Sequence, residues 1–257
     1  MQLSNQASFD LESEQNISAM AADTAVTKVS QEWIDTTGQY RYVYNWKWLG
    51  LPIIQLPADI VATQEIIWSV NPTVIIETGV ARGGSIVFNA SQLAMLDLCE
   101  GTSASLQASN RRCIGIDIDI RAHNREALEA HPLAPLVTLY EGSSIDIKTV
   151  DLVRNLLRPD DRVMVILDSN HTHEHVLREL ELYSGLVTPG SFLVVHDTGI
   201  ENAPDDAFTN RDWGKGDNPL TAMYAFLKDN KEFEIAETIC NKLLITSSPK
   251  GYLRRVS

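Results

Sequence analysis

Residues 74–85 read VIIETGVARGGS, and this stretch decides the fold. It opens with a β-branched run, which is typical of a buried strand in a parallel sheet. An acidic residue, Glu77, then stands at the expected strand end, and a glycine-rich loop leads to a helix expected from Ser85. A strand, a loop and a helix in this order predict a ligand site at the carboxyl edge of an α/β sheet.

The same pattern recurs along the chain. Later β-branched runs of strand length lie at residues 113–116, 136–139, 163–167 and 192–195. Amphipathic helical patterns lie near residues 59–70, 84–99, 121–130, 146–157 and 173–187. This alternation predicts an α/β fold with a doubly wound, Rossmann-like sheet. Residues 233–238 and 243–246 predict a C-terminal antiparallel hairpin that turns at residues 240–242. A parallel sheet finished by a hairpin is the layout of class I methyltransferases.

Composition excludes several functions. The 257-residue chain has 21 basic and 34 acidic residues, a net charge of −13, and such a field repels nucleic acid and anionic lipid. Its 3 cysteines are far apart, so neither a disulfide framework nor a cysteine zinc site is indicated, and a reducing cytoplasm fits best. No apolar run approaches the ~18 residues of a membrane span, and no secretory signal is recognised.

The chain divides into two parts by composition. We expect residues 1–57 to form an N-terminal arm and an aromatic-rich segment, and residues 58–257 to form the domain with the methyltransferase-like sheet. The arm is either mobile or packed against a partner. The aromatic segment is either core or subunit contact, or else a substrate wall. A polar stretch near residues 199–219 contains Phe208 and Trp213, and it predicts a lid that closes on the substrate.

Three classes of ligand compete for the loop after residue 78. A phosphate-binding loop would need a lysine before Ser85, and a dinucleotide fingerprint would need glycine in place of Ala81. S-adenosylmethionine fits better, because Glu77 can face its cationic groups and backbone N–H groups can meet its carboxylate. Asp117 is expected to bind the ribose hydroxyls. The predicted cofactor-binding residues are Glu77, Gly79, Ala81, Gly83, Ser85, Asp117, Gly142, Ser143 and Ser169.

Two aspartates follow neighbouring predicted strands. Asp168 and Asp197 face one crevice at the strand ends, and their hard oxygen atoms suit a magnesium-like ion, unless they only cap helices. His171 lies one helical turn from Asp168, so it can act as the base for a metal-polarised hydroxyl. His173 and His175 are expected at a solvated or hydrogen-bonded helix start. Zinc is disfavoured because the histidine spacing lacks an H-E-x-x-H order.

The chain as a whole resembles the cephalosporin hydroxylase/rhamnosyl O-methyltransferase family. The resemblance covers about residues 44–256 and is carried by WLG at 48–50, Pro52, Pro57, QEII at 64–67, IETG at 76–79, GGS at 83–85, GIDID at 115–119, DS at 168–169, His171, HDT at 196–198 and GYLRR at 251–255. It implies a magnesium-dependent O-methyltransferase that uses S-adenosylmethionine. It also implies a homo-oligomer and a small-molecule acceptor, a hydroxyl of a natural product or sugar.

The family's metal ligands fall on Asp168 and on the pair His196 and Asp197. An acidic residue is expected where His196 stands, so His196 is either a nitrogen ligand or no ligand. The layout after residue 167 also resembles catechol O-methyltransferase, which implies that His171 is the base. Two alternatives stay open. An NAD-dependent oxidoreductase is disfavoured by Ala81 and the hairpin, and a non-catalytic binding protein is disfavoured by the set Asp168, His171 and Asp197.

Overall fold

The computed structural model describes residues 5–257, and its first part is helical. This part contains α1 (Asn5–Ala22), α2 (Thr24–Gly38) and a small hairpin of β1 (Trp46–Trp48) and β2 (Leu51–Ile53). Asp23 caps α2, since its carboxylate accepts hydrogen bonds from the N–H groups of Ala25 and Val26. No described residue of α1 is buried, and this helix contacts α2.

The main sheet has the strand order β5-β4-β3-β6-β7-β9-β8. Its strands are β3 (Val74–Thr78), β4 (Arg112–Asp117), β5 (Val137–Glu141), β6 (Val163–Leu167), β7 (Phe192–Val195), β8 (Phe233–Ile235) and β9 (Tyr252–Arg255). The first five are parallel, and β9 is antiparallel to both β7 and β8. The doubly wound sheet with antiparallel C-terminal strands is therefore confirmed.

Helices cover both faces of this sheet. They are α3 (Pro57–Val70), α4 (Gly84–Glu100), α5 (Ala122–Glu129), α6 (Ile147–Leu156), α7 (His173–Tyr183), α8 (Pro219–Asp229) and the short α9 (Glu237–Cys240). The side chains of neighbouring β3 residues point to opposite faces of the sheet, because side chains alternate along a strand. Ile75 packs with Phe88 in the core on one face, and Ile76 packs with Leu180 in the core on the other. Both faces of β3 are buried, so its carboxyl end is fixed at the centre of the fold.

The predicted hairpin is wrong in its second strand. Residues 237–240 form α9, and residues 243–246 are not a strand; the partner of β8 is β9. The apolar run at 243–246 has another role: Leu243 packs into the core, and the Thr246 hydroxyl donates to the buried Asp59 carboxylate.

Within the described residues, no helix is long and apolar enough to cross a membrane.

Candidate functional site

A cavity of about 1100 Å³ opens at the carboxyl edge of the sheet. Gly79, Asp117, Asp168 and Asp197 line it, and each stands at or just beyond the end of a parallel strand. Further walls come from α2, from the turn around Tyr42 and from residues 199–213. Part of the aromatic segment is therefore a cavity wall, while Trp48 packs edge-on against Phe88 in the core. The segment is thus divided between the core and the cavity wall, and contact of its cavity side with substrate stays a prediction.

The loop after β3 has a fixed backbone. Gly79 has a positive φ of 85°, and a Cβ there would lie 1.9 Å from the carbonyl oxygen of Asp168, so only glycine fits. Ala81 also has left-handed backbone, with φ 46°. The Ala81 N–H donates to Asp117 Oδ2 at 2.9 Å, and its carbonyl accepts from Asn124 Nδ2 at 2.9 Å. These bonds hold Asp117 at the cavity wall, where the sequence predicted a ribose ligand.

Glu77 lies beneath this loop and outside the cavity lining. Its side chain is 1% exposed, and its two oxygens accept hydrogen bonds from Ser85 Oγ at 2.5 Å and Asn89 Nδ2 at 2.7 Å. Burial raises the pKa of Glu77 to about 7, although both hydrogen bonds act in the opposite direction. Ser85 itself does line the cavity. The carboxylate thus supports the loop from below.

The other predicted cofactor residues separate into two groups. Ser169 lines the cavity, whereas Gly83, Gly142 and Ser143 lie outside its lining. A Cβ at Gly83 would lie 2.6 Å from Leu128 Cδ2, so this glycine lets the start of α4 pack against α5. Gly142 and Ser143 are partly buried in the loop after β5.

Asp168, His171 and Asp197 converge on one point of the cavity wall. One ligand atom from each lies within 4.8 Å of the others, and His171 Nε2 is 3.2 Å from Asp197 Oδ2. Burial first, and then the charges of Asp197 and Glu77, raise the pKa of Asp168 well above its ordinary value. Two carboxylates and an imidazole at this spacing suit a divalent ion, because a cation offsets the negative charge collected there.

His196 is not brought into this cluster. Its side chain is 3% exposed, with Nδ1 2.9 Å from Ser248 Oγ and Nε2 3.4 Å from Gln55 Nε2. Burial lowers the pKa of His196. Both ring nitrogens therefore face protein groups, and Asp197 alone turns toward His171.

Asp59 on α3 is a polar residue of this region that sequence reasoning missed. It is fully buried, and it accepts hydrogen bonds from Ser247 N at 2.9 Å, from Tyr252 Oη at 3.0 Å and from the Thr246 hydroxyl. Burial raises the pKa of Asp59. The sequence did contain a signal for this residue, because Asp59 is an acidic residue within an otherwise apolar helical pattern. Asp59 anchors the loop that carries Ser248, which in turn holds His196.

The predicted lid segment folds over the histidine. The ring of Trp213 stands edge-to-face with that of His171, with centroids 4.9 Å apart. Glu201 ties the base of the segment, because it accepts hydrogen bonds from Gly216 N at 2.8 Å and from Asn218 Nδ2 at 2.5 Å. Phe208 and Trp213 both line the cavity, so the aromatic residues of this segment face the site.

Two further histidines, His173 and His175, lie in the first turn of α7. His173 begins this helix, and its Nδ1 is 2.8 Å from Thr221 Oγ1. His175 Nε2 lies 3.1 Å from both Ser144 Oγ and Ser169 Oγ. Neither belongs to the group of possible metal ligands found among residues 5–257, so both take the hydrogen-bonded role expected for them.

Comparisons with known proteins identify a family for this chain. The family model described as Rhamnosyl O-methyltransferase/CmcI matches residues 40–256. A rhamnosyl O-methyltransferase of Mycobacterium tuberculosis (strain ATCC 25618 / H37Rv) is 28% identical over 213 residues, which cover 81% of this chain and 77% of that protein. A homologue from Mycobacterium leprae is 25% identical over 158 residues, 61% of this chain and 62% of that protein.

Solved structures show the same fold at lower identity. CmcI with Mg and SAM superposes with a TM-score of 0.54 at 19% identity, covering 83% of this chain and 78% of that chain. An O-methyltransferase from Bacillus cereus in complex with SAH gives a TM-score of 0.50 at 12% identity, with 86% and 87% coverage. The family model spans most of the sequence, and the motifs predicted to carry the resemblance lie within it. The chain belongs to the Rhamnosyl O-methyltransferase/CmcI family.

Proposed function

We propose that this protein transfers the methyl group of S-adenosylmethionine to a hydroxyl of a natural product or sugar, with a divalent ion such as Mg²⁺ in the site. Its family membership makes it an S-adenosylmethionine-dependent O-methyltransferase. One observation carries the finer proposal: Asp168, His171 and Asp197 converge in a cavity that also reaches Gly79 and Asp117. Five of the nine predicted cofactor residues, Gly79, Ala81, Ser85, Asp117 and Ser169, thus line the same cavity as the proposed catalytic residues.

The residues that line the cavity suit the polar groups of the cofactor. Asp117 stands at the wall with its carboxylate oriented by the N–H groups of Ala81 and Asp119, so it is placed to accept hydrogen bonds from ribose hydroxyls. Ser85 and Ser169 line the same space. Glu77 lies buried behind the loop, where it accepts hydrogen bonds from Ser85 and Asn89. When bound, S-adenosylmethionine supplies a methyl group activated by its positively charged sulfur.

The metal cluster fits a hard cation. Asp168 and Asp197 would hold it with carboxylate oxygens, and a cation would offset the burial and the neighbouring negative charges that together raise the pKa of Asp168. When bound, a divalent ion acts as a Lewis acid that lowers the pKa of an acceptor hydroxyl. His196 keeps its place behind Asp197, bonded to Ser248, rather than on the ion.

His171 is the proposed base. It takes the proton of the acceptor hydroxyl on a ring nitrogen, and the Asp197 carboxylate, 3.2 Å from Nε2, stabilises the resulting imidazolium. Trp213 fixes the ring by its edge-to-face contact and excludes water from one side. The side chain of His171 is 16% exposed, so a substrate can still reach it. The enzyme contributes proximity and an activated oxygen, with no covalent intermediate.

Metal dependence and cofactor choice can be tested together. We expect calorimetry to show binding of S-adenosylhomocysteine and none of NAD, and transfer to hydroxylated acceptors to stop in excess chelator and return with Mg²⁺. Asp168→Asn should abolish this rescue, whereas Asp160→Asn, an exposed acid outside the site, should retain it. Full activity in excess chelator would remove the metal from the scheme, and tight NAD binding would favour the oxidoreductase alternative.

Assembly and lid closure complete the proposal. The arm, which includes α1 without a buried residue and exposed Phe9 and Leu11, packs against a second copy of the chain in a homo-oligomer. The segment near residues 199–219 forms the lid, since Phe208 and Trp213 face the cavity from it and Glu201 anchors it.

A further inference from the structure

Several arginines that line the cavity have no hydrogen-bonding or ionic partner among the described residues. Within residues 5–257, four arginine side chains have neither a hydrogen bond nor an ion pair: Arg41, Arg82, Arg211 and Arg254. The first three line the cavity, and the fourth lies on β9 away from it. In a chain with 34 acidic and 21 basic residues, carboxylate partners are abundant. Three unpaired guanidinium groups on one cavity therefore point to an anionic ligand there.

One of these cations belongs with the cofactor. Arg82 is part of the loop after β3, between Ala81 and Gly83, on the side of the cavity where the carboxylate of S-adenosylmethionine is expected. Arg211 and Arg41 come from different segments, the lid and the turn after α2. The anion of the cofactor does not account for these two arginines.

Arg211 is linked to His171 through the ring of Trp213, which contacts both residues. Its guanidinium carbon lies 5.1 Å from the centre of the Trp213 ring, and the Trp213 ring is 4.9 Å from the His171 ring. The guanidinium is therefore within about 10 Å of the proposed base, the reach of one small acceptor. This ring contact occupies none of the guanidinium N–H groups in a hydrogen bond, so they remain available to a planar, bidentate carboxylate.

Arg41 faces the same space from the opposite segment. It has left-handed backbone, with φ 51° and ψ 45°, and it precedes the turn that carries Tyr42. Tyr42 contacts Trp33 edge-to-face at 4.9 Å, so this wall is aromatic and ordered by its own packing. An aromatic wall with a cation at its edge suits a ring that carries a negative group.

We infer that the methyl acceptor is a hydroxylated molecule with a carboxylate, which Arg211 binds, with Arg41 as a second cation, while its hydroxyl lies at His171. This inference rests on the proposed function and narrows its substrate class from hydroxylated acceptors to hydroxylated acids. The reaction itself is unchanged: the acceptor oxygen gains the methyl group, and the hydroxyl proton leaves to His171. The carboxylate orients the acceptor and takes no part in the bond exchange.

Matched acids and esters test the inference on the full chain with S-adenosylmethionine and Mg²⁺. The probes are 3,4-dihydroxybenzoate and glucuronate, each compared with its methyl ester, and the readout is kcat/KM from release of S-adenosylhomocysteine. We expect a preference for the acid of at least about tenfold, since a charge-assisted hydrogen bond contributes about that much or more. Arg211→Gln should reduce this preference toward one, and Arg211→Lys should restore part of it.

Arg254→Gln is the matched control, because this arginine is also unpaired and exposed but lies outside the cavity; it should keep the preference for acids. Equal kcat/KM for acid and ester in the unaltered protein overturns the inference, as does an acid preference unchanged in Arg211→Gln. Methylation of the esters alone overturns it too. Failure of every acid while S-adenosylhomocysteine still binds counts against this inference, whereas failure to bind S-adenosylhomocysteine counts against the proposed function.

Discussion

Replacement of Glu77 by glutamine should stabilise the protein at alkaline pH. The carboxyl group is 1% exposed, and its pKa is raised from 4.5 to about 7, mainly by burial. The folded state therefore holds a proton that the unfolded state has lost between these two pH values. Its contribution to the free energy of unfolding is complete below about pH 4.5, declines as pH rises through about 7, and is lost above that. At 1.36 kcal/mol per pKa unit, the ionised group costs about 3 kcal/mol at pH 8.

Glutamine fits the site because its neighbour can adapt. Asn89 donates from Nδ2 to Glu77 Oε2, while Asn89 Oδ1 is buried without a partner among the described residues. A rotation of the Asn89 amide would let Oδ1 accept from the new Gln Nε2, and Ser85 Oγ would still donate to Oε1. The rotated amide leaves Asn89 Nδ2 without its present acceptor, but a protonated Glu77 requires the same rotation, so glutamine removes the buried charge and otherwise resembles the protonated acid.

Urea unfolding at pH 5 and pH 8 measures the effect. We expect Glu77→Gln to change the free energy of unfolding by less than about 1 kcal/mol at pH 5 and to raise it by about 2–3 kcal/mol at pH 8. Glu234→Gln, an exposed acid on β8, should change little at either pH. A Glu77→Gln protein that is less stable than the unaltered protein at pH 8 would refute the reasoning.

Further predictions concern the site and the arm. Asp117→Ala should weaken binding of S-adenosylhomocysteine about ten- to a hundredfold in calorimetry, through the loss of charge-assisted hydrogen bonds; unchanged affinity would exclude the ribose role. His171→Gln should lower kcat about 10²- to 10⁴-fold while that affinity stays constant; ordinary turnover would assign the base to another group. His196→Gln should retain Mn²⁺ affinity in electron paramagnetic resonance titrations, and a loss above about tenfold would make His196 a ligand. Deletion of residues 1–22 should reduce the number of subunits per particle measured by sedimentation, and an unchanged number would contradict packing between subunits.

The buried strands were predictable because their sequence pattern has a single explanation. Val163–Leu167 and Phe192–Val195 are continuous apolar runs, and the structure gives strands with the predicted bounds. The second strand of the hairpin was not predictable in the same way. Residues 243–246 have a strand-like composition, but Thr246 is held by Asp59, a contact between residues far apart in the sequence. The actual strand, Tyr252–Arg255, ends in two arginines and lacks a clear alternation.

The sequence predicted which residues lie at the site better than it predicted the directions in which their side chains point. Asp168 and His171 are brought together as the spacing predicted. His196 and Asp197 are adjacent in the sequence, yet one faces Ser248 and the other faces His171. Trp213 also could not be placed, because its contact with His171 depends on the path of the lid segment. Sequence spacing states which residues lie at a strand end, and the local backbone decides where each side chain points.

The backbone around the cavity shows why such directions escape sequence reasoning. Of the six non-glycine residues with positive φ among residues 5–257, four line the cavity: Arg41, Ala81, Asp197 and Lys250. Left-handed backbone costs a non-glycine residue about 1–2 kcal/mol, so composition would favour glycine there. Asp197 shows what the strain achieves. With φ 57° and ψ 23°, its carboxylate turns toward His171 while His196, one residue earlier, stays bonded to Ser248. Glycine would adopt this backbone without strain, but it would leave His171 without its carboxylate.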